Sequence, residues 1–196
     1  MAKEGQPDRL EAITRAAGRA EDGIPPVHLW NPPDCGTIDM RIGHDGTWFY
    51  QKTPITRPAM VRLFASILKR EGDRYYLVTP VEKCGIAVDD APFVAIDVTE
   101  ESTPLGPALR FRTNVGDEVV CGPDHALRFE PQPPVGGLKP YVHIRRGLWA
   151  KVSRTVYYEL AERGEQRMMD GTEWFGVVSQ GAFFPMAPAA ELEDFA

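Results

Sequence analysis

The stretch "GTWFYQKTPITRPAMVRLFASIL", from Gly46 to Leu68, carries the clearest folding pattern in the chain. It begins with an aromatic run typical of a strand, which is then interrupted by two prolines. Beyond the second proline, apolar residues recur at helical spacing: Met60, Leu63, Phe64, Ile67 and Leu68. The pattern predicts a strand followed by a one-sided helix, capped at Thr56 or Arg57 and ended by Gly72.

A second stretch, "GLWAKVSRTVYYELAER" from Gly147, resembles the first. Gly-x-Trp again precedes a short helix, for which Ser153 is the natural N-cap and Gly164 the stop. Its buried side should consist of Val156, Tyr157 and Leu160. The likeness favours one packing unit used twice, with Trp48 and Trp149 as core or inter-repeat aromatic residues rather than stacking platforms for a ligand.

The segments around these two helices alternate between apolar and polar residues, which is typical of short strands. We therefore predict an α+β fold of two tandem repeats, each built from strands and one helix. The expected divisions are 1–21 for an N-terminal helix capped by Asp8, 22–92 for the first repeat, 93–190 for the second, and 191–196 for a loose acidic tail.

Composition limits the classes of function. The formal charge of −6 argues against binding to duplex nucleic acid or to an anionic membrane. The three cysteines are widely spaced, so we expect them to be reduced in a cytoplasmic protein. No segment has the apolar length of a signal peptide or of a transmembrane helix.

Four longer stretches resemble a known family: "PPDCGTIDMRIGHDGTWFYQKTPITRPAMVRLFASIL", "YYLVTPVEKCGIAVDDAPF", "FRTNVGDEVVCGPDHALR" and "PYVHIRRGLWAKVSRTVYYELAE". They are similar to the bacterial domain-of-unknown-function family 1285. The resemblance implies a duplicated α+β fold whose second repeat is a pleckstrin-like curved sheet or partial barrel. It also implies a nucleotide-like ligand between the repeats and a role in signalling. It supplies no catalytic residues.

The residues themselves offer little catalytic chemistry. The sequence contains no phosphate-binding glycine loop, no zinc-type Cys/His spacing and no serine-hydrolase motif, so we expect neither a metal nor a cofactor. The segment "CGPDH" brings Cys121, Asp124 and His125 together, and a small hydrolase using Cys121 or Asp124 with His125 is one alternative. Ordinary turn chemistry explains the same segment.

One segment carries a local excess of positive charge. Six basic residues and only one acid, Glu130, lie between Arg128 and Tyr158: Arg128, Lys139, Arg145, Arg146, Lys151 and Arg154. Strand alternation predicts that Tyr141, His143 and Arg145 share one face, where rings and a guanidinium suit a nucleobase and a phosphate. A solvated basic face is the simpler interpretation of the same charges.

The first repeat adds two basic candidates, Arg57 at the helix start and Lys83 in "VEKCG". The predicted site therefore consists of Arg57, Lys83, Tyr141, His143 and Arg145. The function expected is non-catalytic binding of a small anionic ligand, with protonation of His143 strengthening the binding. The alternative is a protein–protein interaction module that presents the pleckstrin-like half to a signalling partner.

Overall fold

The computed structural model describes residues 9–17, 24–132 and 136–192. The chain divides into two compact units, Met1–Asp90 and Ala91–Ala196. The fold is α+β, as predicted, and strands far outnumber helices. Asp8, expected to cap the first helix, and residues 193–196 of the expected tail lie outside the described residues.

The described part of the first unit contains two helices, α1 (Arg9–Ala17) and α2 (Pro58–Ser66), and a short 3₁₀ turn, Val27–Leu29. Its strands are β1 (Asp34–Ile42), β2 (Trp48–Tyr50), β3 (Thr53–Pro54), β4 (Leu68–Glu71), β5 (Arg74–Val78) and β6 (Lys83–Val88). They form one sheet in the order β3-β2-β1-β6-β5-β4. The central pair, β1 and β6, is parallel and every other pair is antiparallel.

The second unit begins with six strands: β7 (Phe93–Thr103), β8 (Gly106–Thr113), β9 (Glu118–Val120), β10 (Leu127–Pro131), β11 (Leu138–Arg145) and β12 (Leu148–Val152). Their order in the sheet is β10-β11-β12-β7-β8-β9, with β12 and β7 parallel at the centre. The remaining elements are α3 (Arg154–Glu162), β13 (Glu165–Met169), β14 (Thr172–Ser179), β15 (Ala182–Pro188) and α4 (Ala189–Leu192). Strands β13, β14 and β15 form a separate three-stranded sheet.

The two six-stranded sheets share one topology. In each, three strands form a meander, three more form a second meander, and the first strand pairs in parallel with the sixth. One of the two sheets is strongly curled into a half-barrel. The predicted duplication with a curved sheet is therefore confirmed.

The helices do not occupy equivalent places in the two repeats. Helix α2 connects the third strand of its sheet to the fourth, whereas α3 follows the sixth. Trp48 consequently lies on a second strand and Trp149 on a sixth strand. The two Gly-x-Trp motifs that suggested the repeat therefore lie at positions that are not equivalent. The shared strand order, rather than this motif, identifies the duplication.

Helix α2 is shorter than its apolar stripe predicts. It ends at Ser66, and Leu68 already belongs to β4, where it pairs with Leu77. Gly72, the expected helix stop, instead lies in the β4–β5 turn with a φ of 59°. Pairing with β5 satisfies the backbone of this segment across the sheet, and this tertiary contact overrides a local pattern that fits a helix.

The Ser153 cap of α3 and the burial of Val156 and Leu160 are confirmed. Tyr157, which was predicted on the same buried side, is only partly buried. The Ser153 hydroxyl accepts a hydrogen bond from the N–H of Val156 at 3.4 Å, which satisfies one of the free donors at the helix start. Val156 and Leu160 have no exposed surface. The helix packs against β7 and β14 of its own unit.

Helix α2 likewise packs on the sheet of its own unit. The Phe64 ring stacks on Trp48 of β2 with centroids 6.2 Å apart, and both side chains are buried. Such aromatic pairs add stability beyond the apolar area that they bury. Trp48 is therefore a core residue, which is one of the two roles predicted for it.

We expect Phe64→Ala to destabilise the protein by about 3–5 kcal/mol, because it leaves a cavity between α2 and the sheet. Arg62→Ala is the matched control on the exposed side of the same helix, where a change within about 0.5 kcal/mol is expected. Equilibrium denaturation in urea gives both values. Equal losses in the two variants would contradict the packing described for α2.

Candidate functional site

An open groove runs between α1 and the start of α2. It is lined by Leu10, Glu11, Thr14, Arg15, Arg57 and Met60. A second open groove adjoins it and shares Leu10, Arg57 and Met60. The other residues lining the second groove are Tyr50, Thr53, Pro54, Ile55 and Thr56. Both grooves lie within the first unit.

Two arginines, Arg15 and Arg57, give the first groove its charge. Arg15 lies in the last turn of α1, and Arg57 is the N-cap of α2. Both are exposed, and within residues 9–17, 24–132 and 136–192 neither guanidinium makes an ion pair. Glu11 is the one acid that lines this groove, so the described lining has a net positive charge.

Lys83, the second predicted residue of the first repeat, already has an acidic partner. Its Nζ lies 2.6 Å from the Glu71 carboxylate and 4.9 Å from the centre of the Tyr76 ring. The hydrogen bond between Lys83 and Glu71 raises the pKa of Lys83 and lowers the pKa of Glu71. A hydrogen bond from Lys69 also lowers the pKa of Glu71. A ligand anion at this lysine would have to compete with a carboxylate that is already in contact.

Tyr141 and His143 lie on one face of the second sheet, as predicted, with a different cation beside them. Arg128 pairs directly with Tyr141 across β10 and β11. Its guanidinium lies 5.1 Å from the centre of the Tyr141 ring and 4.2 Å from that of Trp149. Tyr141 is only 4% exposed, so this ring is covered rather than presented to a ligand.

Arg145 does not share this face, and the prediction that it does is wrong. The register of β11 with β12 shifts between His143 and Arg145, so Arg145 pairs with Leu148, which is buried in the core. The irregularity turns the side chain to the other face of the sheet. There it forms an ion pair with Asp117 and lies 5.0 Å from the centre of the buried Phe93 ring.

Both ring nitrogens of His143 are engaged with the backbone. Nδ1 lies 2.8 Å from the carbonyl oxygen of Asp124, which can only accept, so Nδ1 carries the hydrogen. Nε2 accepts the backbone N–H of Gly147 at 3.1 Å and therefore carries none. With these contacts Nε2 has no hydrogen to donate to an anion, and an anion at this nitrogen would first have to displace the bond from Gly147.

Cys121 is poorly suited to act as the nucleophile of the hydrolase alternative. Cys121 is fully buried, and burial raises the pKa of its thiol to about 12, so the thiol is protonated at neutral pH. His125 directs Nδ1 to the carbonyl oxygen of His143 at 3.1 Å. The "CGPDH" turn is thereby fastened to β11, and this geometry favours the structural interpretation of that segment.

The groove contains one important residue that the sequence analysis did not single out, Arg15. Its helix was predicted, and Ile13 on the same helix is 1% exposed. Arg15 is exposed, and only the tertiary structure brings it to the same groove as Arg57.

Other kinds of site find no support among the described residues. No cluster of three or more His, Cys, Asp or Glu side chains could hold a metal ion there. None of the helices in that part of the chain is both long and apolar enough to span a membrane. None of the three cysteines, all of which are among the described residues, forms a disulfide.

These features define a class: a duplicated α+β protein with two six-stranded sheets of common topology. Two family models match the chain. One is the "Domain of unknown function (DUF1285), N-terminal domain", over residues 25–91, and the other is the "Protein of unknown function (DUF1285), C-terminal domain", over residues 92–186. The protein therefore belongs to the DUF1285 family.

Two solved structures are similar to this chain. A DUF1285 family protein from Silicibacter pomeroyi DSS-3 is 55% identical, with 96% of this chain and 100% of that chain covered and a TM-score of 0.86. A DUF1285 family protein from Shewanella baltica OS155 is 30% identical, with 64% of this chain and 91% of that chain covered and a TM-score of 0.51. No curated protein matches the chain.

The ion pair between Glu71 and Lys83 generates a prediction about acid stability. Because the pKa of Glu71 is lowered in the folded state, the pair stabilises the protein above the unfolded-state pKa of about 4.3 and loses that effect as the pH falls through the lower folded-state pKa. We expect Glu71→Gln to lower the melting temperature at neutral pH and to approach the wild type below about pH 4. Asp73→Asn is the control, because Asp73 is fully exposed in its ion pair with Arg70. A gap between Glu71→Gln and wild type that stays constant down to acid pH would contradict the assignment.

The contacts of His143 generate a second prediction. In mildly alkaline solution we expect its neutral ring to carry hydrogen on Nδ1 and none on Nε2, because a backbone carbonyl and a backbone N–H face the two nitrogens. Long-range ¹H–¹⁵N correlation spectra of the imidazole distinguish the two tautomers, and a His143→Gln spectrum identifies the resonances. A hydrogen on Nε2 would show that the contact with Gly147 is absent in solution.

Proposed function

We propose that this protein is a non-catalytic binding protein for a small anionic ligand, and that the anion binds in the groove between α1 and the start of α2. The observation that carries the proposal is the convergence of Arg15 and Arg57 on one concave surface, neither of them paired with an acid in the described part of the chain. Of the five residues predicted from the sequence, Arg57 is the one that the proposal keeps as an anion contact.

The guanidinium groups, rather than the backbone, would supply most of the affinity for the anion. Helix α2 has no side-chain cap, which leaves its first turn open to an external acceptor. In that turn, however, Pro58 has no N–H, and the N–H of Met60 donates to the Arg57 carbonyl at 3.0 Å. Arginine pairs well with a phosphate because its planar fork can donate two parallel hydrogen bonds.

The adjoining groove suits the rest of a nucleotide-like ligand. Its wall combines the Tyr50 ring with Pro54, Ile55 and Met60, and it also carries the hydroxyl of Thr56. Ligand sites are commonly apolar surfaces with a few polar groups that fix the orientation. A nucleoside monophosphate could place its phosphate near Arg15 and Arg57 while its base covers the apolar wall.

A thermal-shift screen with inorganic phosphate and a panel of nucleoside monophosphates tests the proposal, because ligands that bind only the folded state raise its melting temperature. For a compound that binds, we expect Arg57→Ala and Arg15→Ala each to weaken binding by roughly tenfold or more in titration calorimetry, since a charge-assisted hydrogen bond contributes about 1.5–3 kcal/mol.

Arg62→Ala is the matched control, because Arg62 is an exposed arginine of α2 that does not line either groove. It should bind as the wild type does. If all three variants lose affinity equally, general charge rather than the groove accounts for binding. If no anion in the screen stabilises the protein, the proposed function is wrong.

A further inference from the structure

Strand β13 is an exposed edge of the three-stranded sheet. All five of its residues, Glu165–Met169, are exposed, and the side chain of Met168 retains much of its apolar surface in solvent. Among the described residues, the strand pairs with β14 along one side only. Edge strands present unpaired N–H and C=O groups that can pair with another chain.

The hairpin geometry determines which backbone groups face outward. Asp170 and Gly171 form a two-residue turn, with φ values of 50° and 80°, between the paired residues Met169 and Thr172. In such a hairpin the residues that flank the turn exchange hydrogen bonds, and bonded pairs then alternate with unbonded pairs along the ladder. The N–H and C=O groups of Gln166 and Met168 therefore point away from β14.

Natural proteins usually protect such an edge, and β13 lacks the common devices. It contains no proline and no lysine, and its register with β14 has no bulge. Its two charged residues, Glu165 and Arg167, form an ion pair with each other, and both side chains are about half exposed. The strand thus has no net charge to repel a strand of the same sequence.

We propose that β13 is a homodimer interface, in which the β13 strands of two copies pair in antiparallel fashion about a twofold axis at Gln166. This register places Glu165 of each copy opposite Arg167 of the other, so that two cross-strand ion pairs form. An axis at Arg167 would place the two arginines opposite each other, which is destabilising. Charge complementarity therefore selects both the occupant, a second copy, and the register.

The proposed pairing also indicates how strong the dimer is and which ion pairs change when it forms. The Gln166 residues of the two copies exchange two hydrogen bonds, and the N–H of Met168 donates to the carbonyl of Gly164 of the other copy. The N–H of Gly164 already donates to the Ala161 carbonyl at 3.1 Å, so this second pair forms one bond only. The ion pair between Glu165 and Arg167 within one copy is exposed and therefore adds little to the stability of the monomer. Exchanging it for the two ion pairs between copies costs little free energy. A single five-residue strand is a small interface, so the dimer should be weak and concentration-dependent.

Sedimentation equilibrium of the full chain over a wide concentration range tests the dimer with a charge swap. We expect the wild type to show reversible dimerisation. Glu165→Arg should raise the dimer dissociation constant by roughly tenfold or more, since arginines then face each other twice. The double variant Glu165→Arg with Arg167→Glu should restore dimerisation, because opposite charges again lie across the axis.

Met168→Pro tests the backbone contact separately. It removes an N–H that faces away from β14, so the hairpin should persist while the dimer is lost. Circular dichroism and thermal melts check that each variant remains folded. A wild type that stays monomeric at the highest concentration, or a dimer that none of these variants weakens, overturns the proposal, as does a double variant that remains as weak as Glu165→Arg. The binding of the wild-type monomer to extended peptides from other proteins would in that case identify a different occupant.

Discussion

Both units depend on one constraint: the first strand of the first meander pairs in parallel with the last strand of the second meander. In the first unit Ile42 pairs with Val88 in this way, and in the second Ala150 pairs with Phe93. Parallel neighbours need a long crossover, and here the four intervening strands provide it. The pair is central and contributes core residues in both units: Met40, Ile42 and Cys84 in the first, and Phe93, Ala95 and Ala150 in the second. The two meanders extend outward to either side of it.

This arrangement explains why a basic sequence segment need not be an anion site. Each sheet brings together segments that are distant in sequence, and several of the cations identified by sequence acquire partners within their own unit. Lys83 meets Glu71, Arg145 meets Asp117, and Arg128 lies over Trp149. Arg15 lies on α1 and Arg57 at the start of α2, outside the strands of the sheet. Their guanidinium groups therefore line the groove of the first unit, where an anion could reach them.

The candidate groove and the candidate dimer interface differ in how far the sequence indicates them. Arg57 was predictable, because a residue before a proline-initiated helix is both a cap and exposed. Arg15 joins it only through the packing of α1 beside α2. Strand β13 was not predicted, since its sequence, EQRMM, lacks the β-branched and aromatic residues of a typical strand, and its pairing with β14 supplies the structure instead.

The sequence by itself determined the features that depend on near neighbours: the α+β class, the apolar faces of the helices and the Ser153 cap of α3. These depend on residues a few positions apart, whose spacing is visible in one dimension. The tertiary structure alone decided the end of α2, the face of Arg145 and the partners of the cations. Each of these depends on a residue brought from elsewhere in the chain, as when Leu77 draws Leu68 into β4 or Asp117 pairs with Arg145, and no local period encodes such a contact.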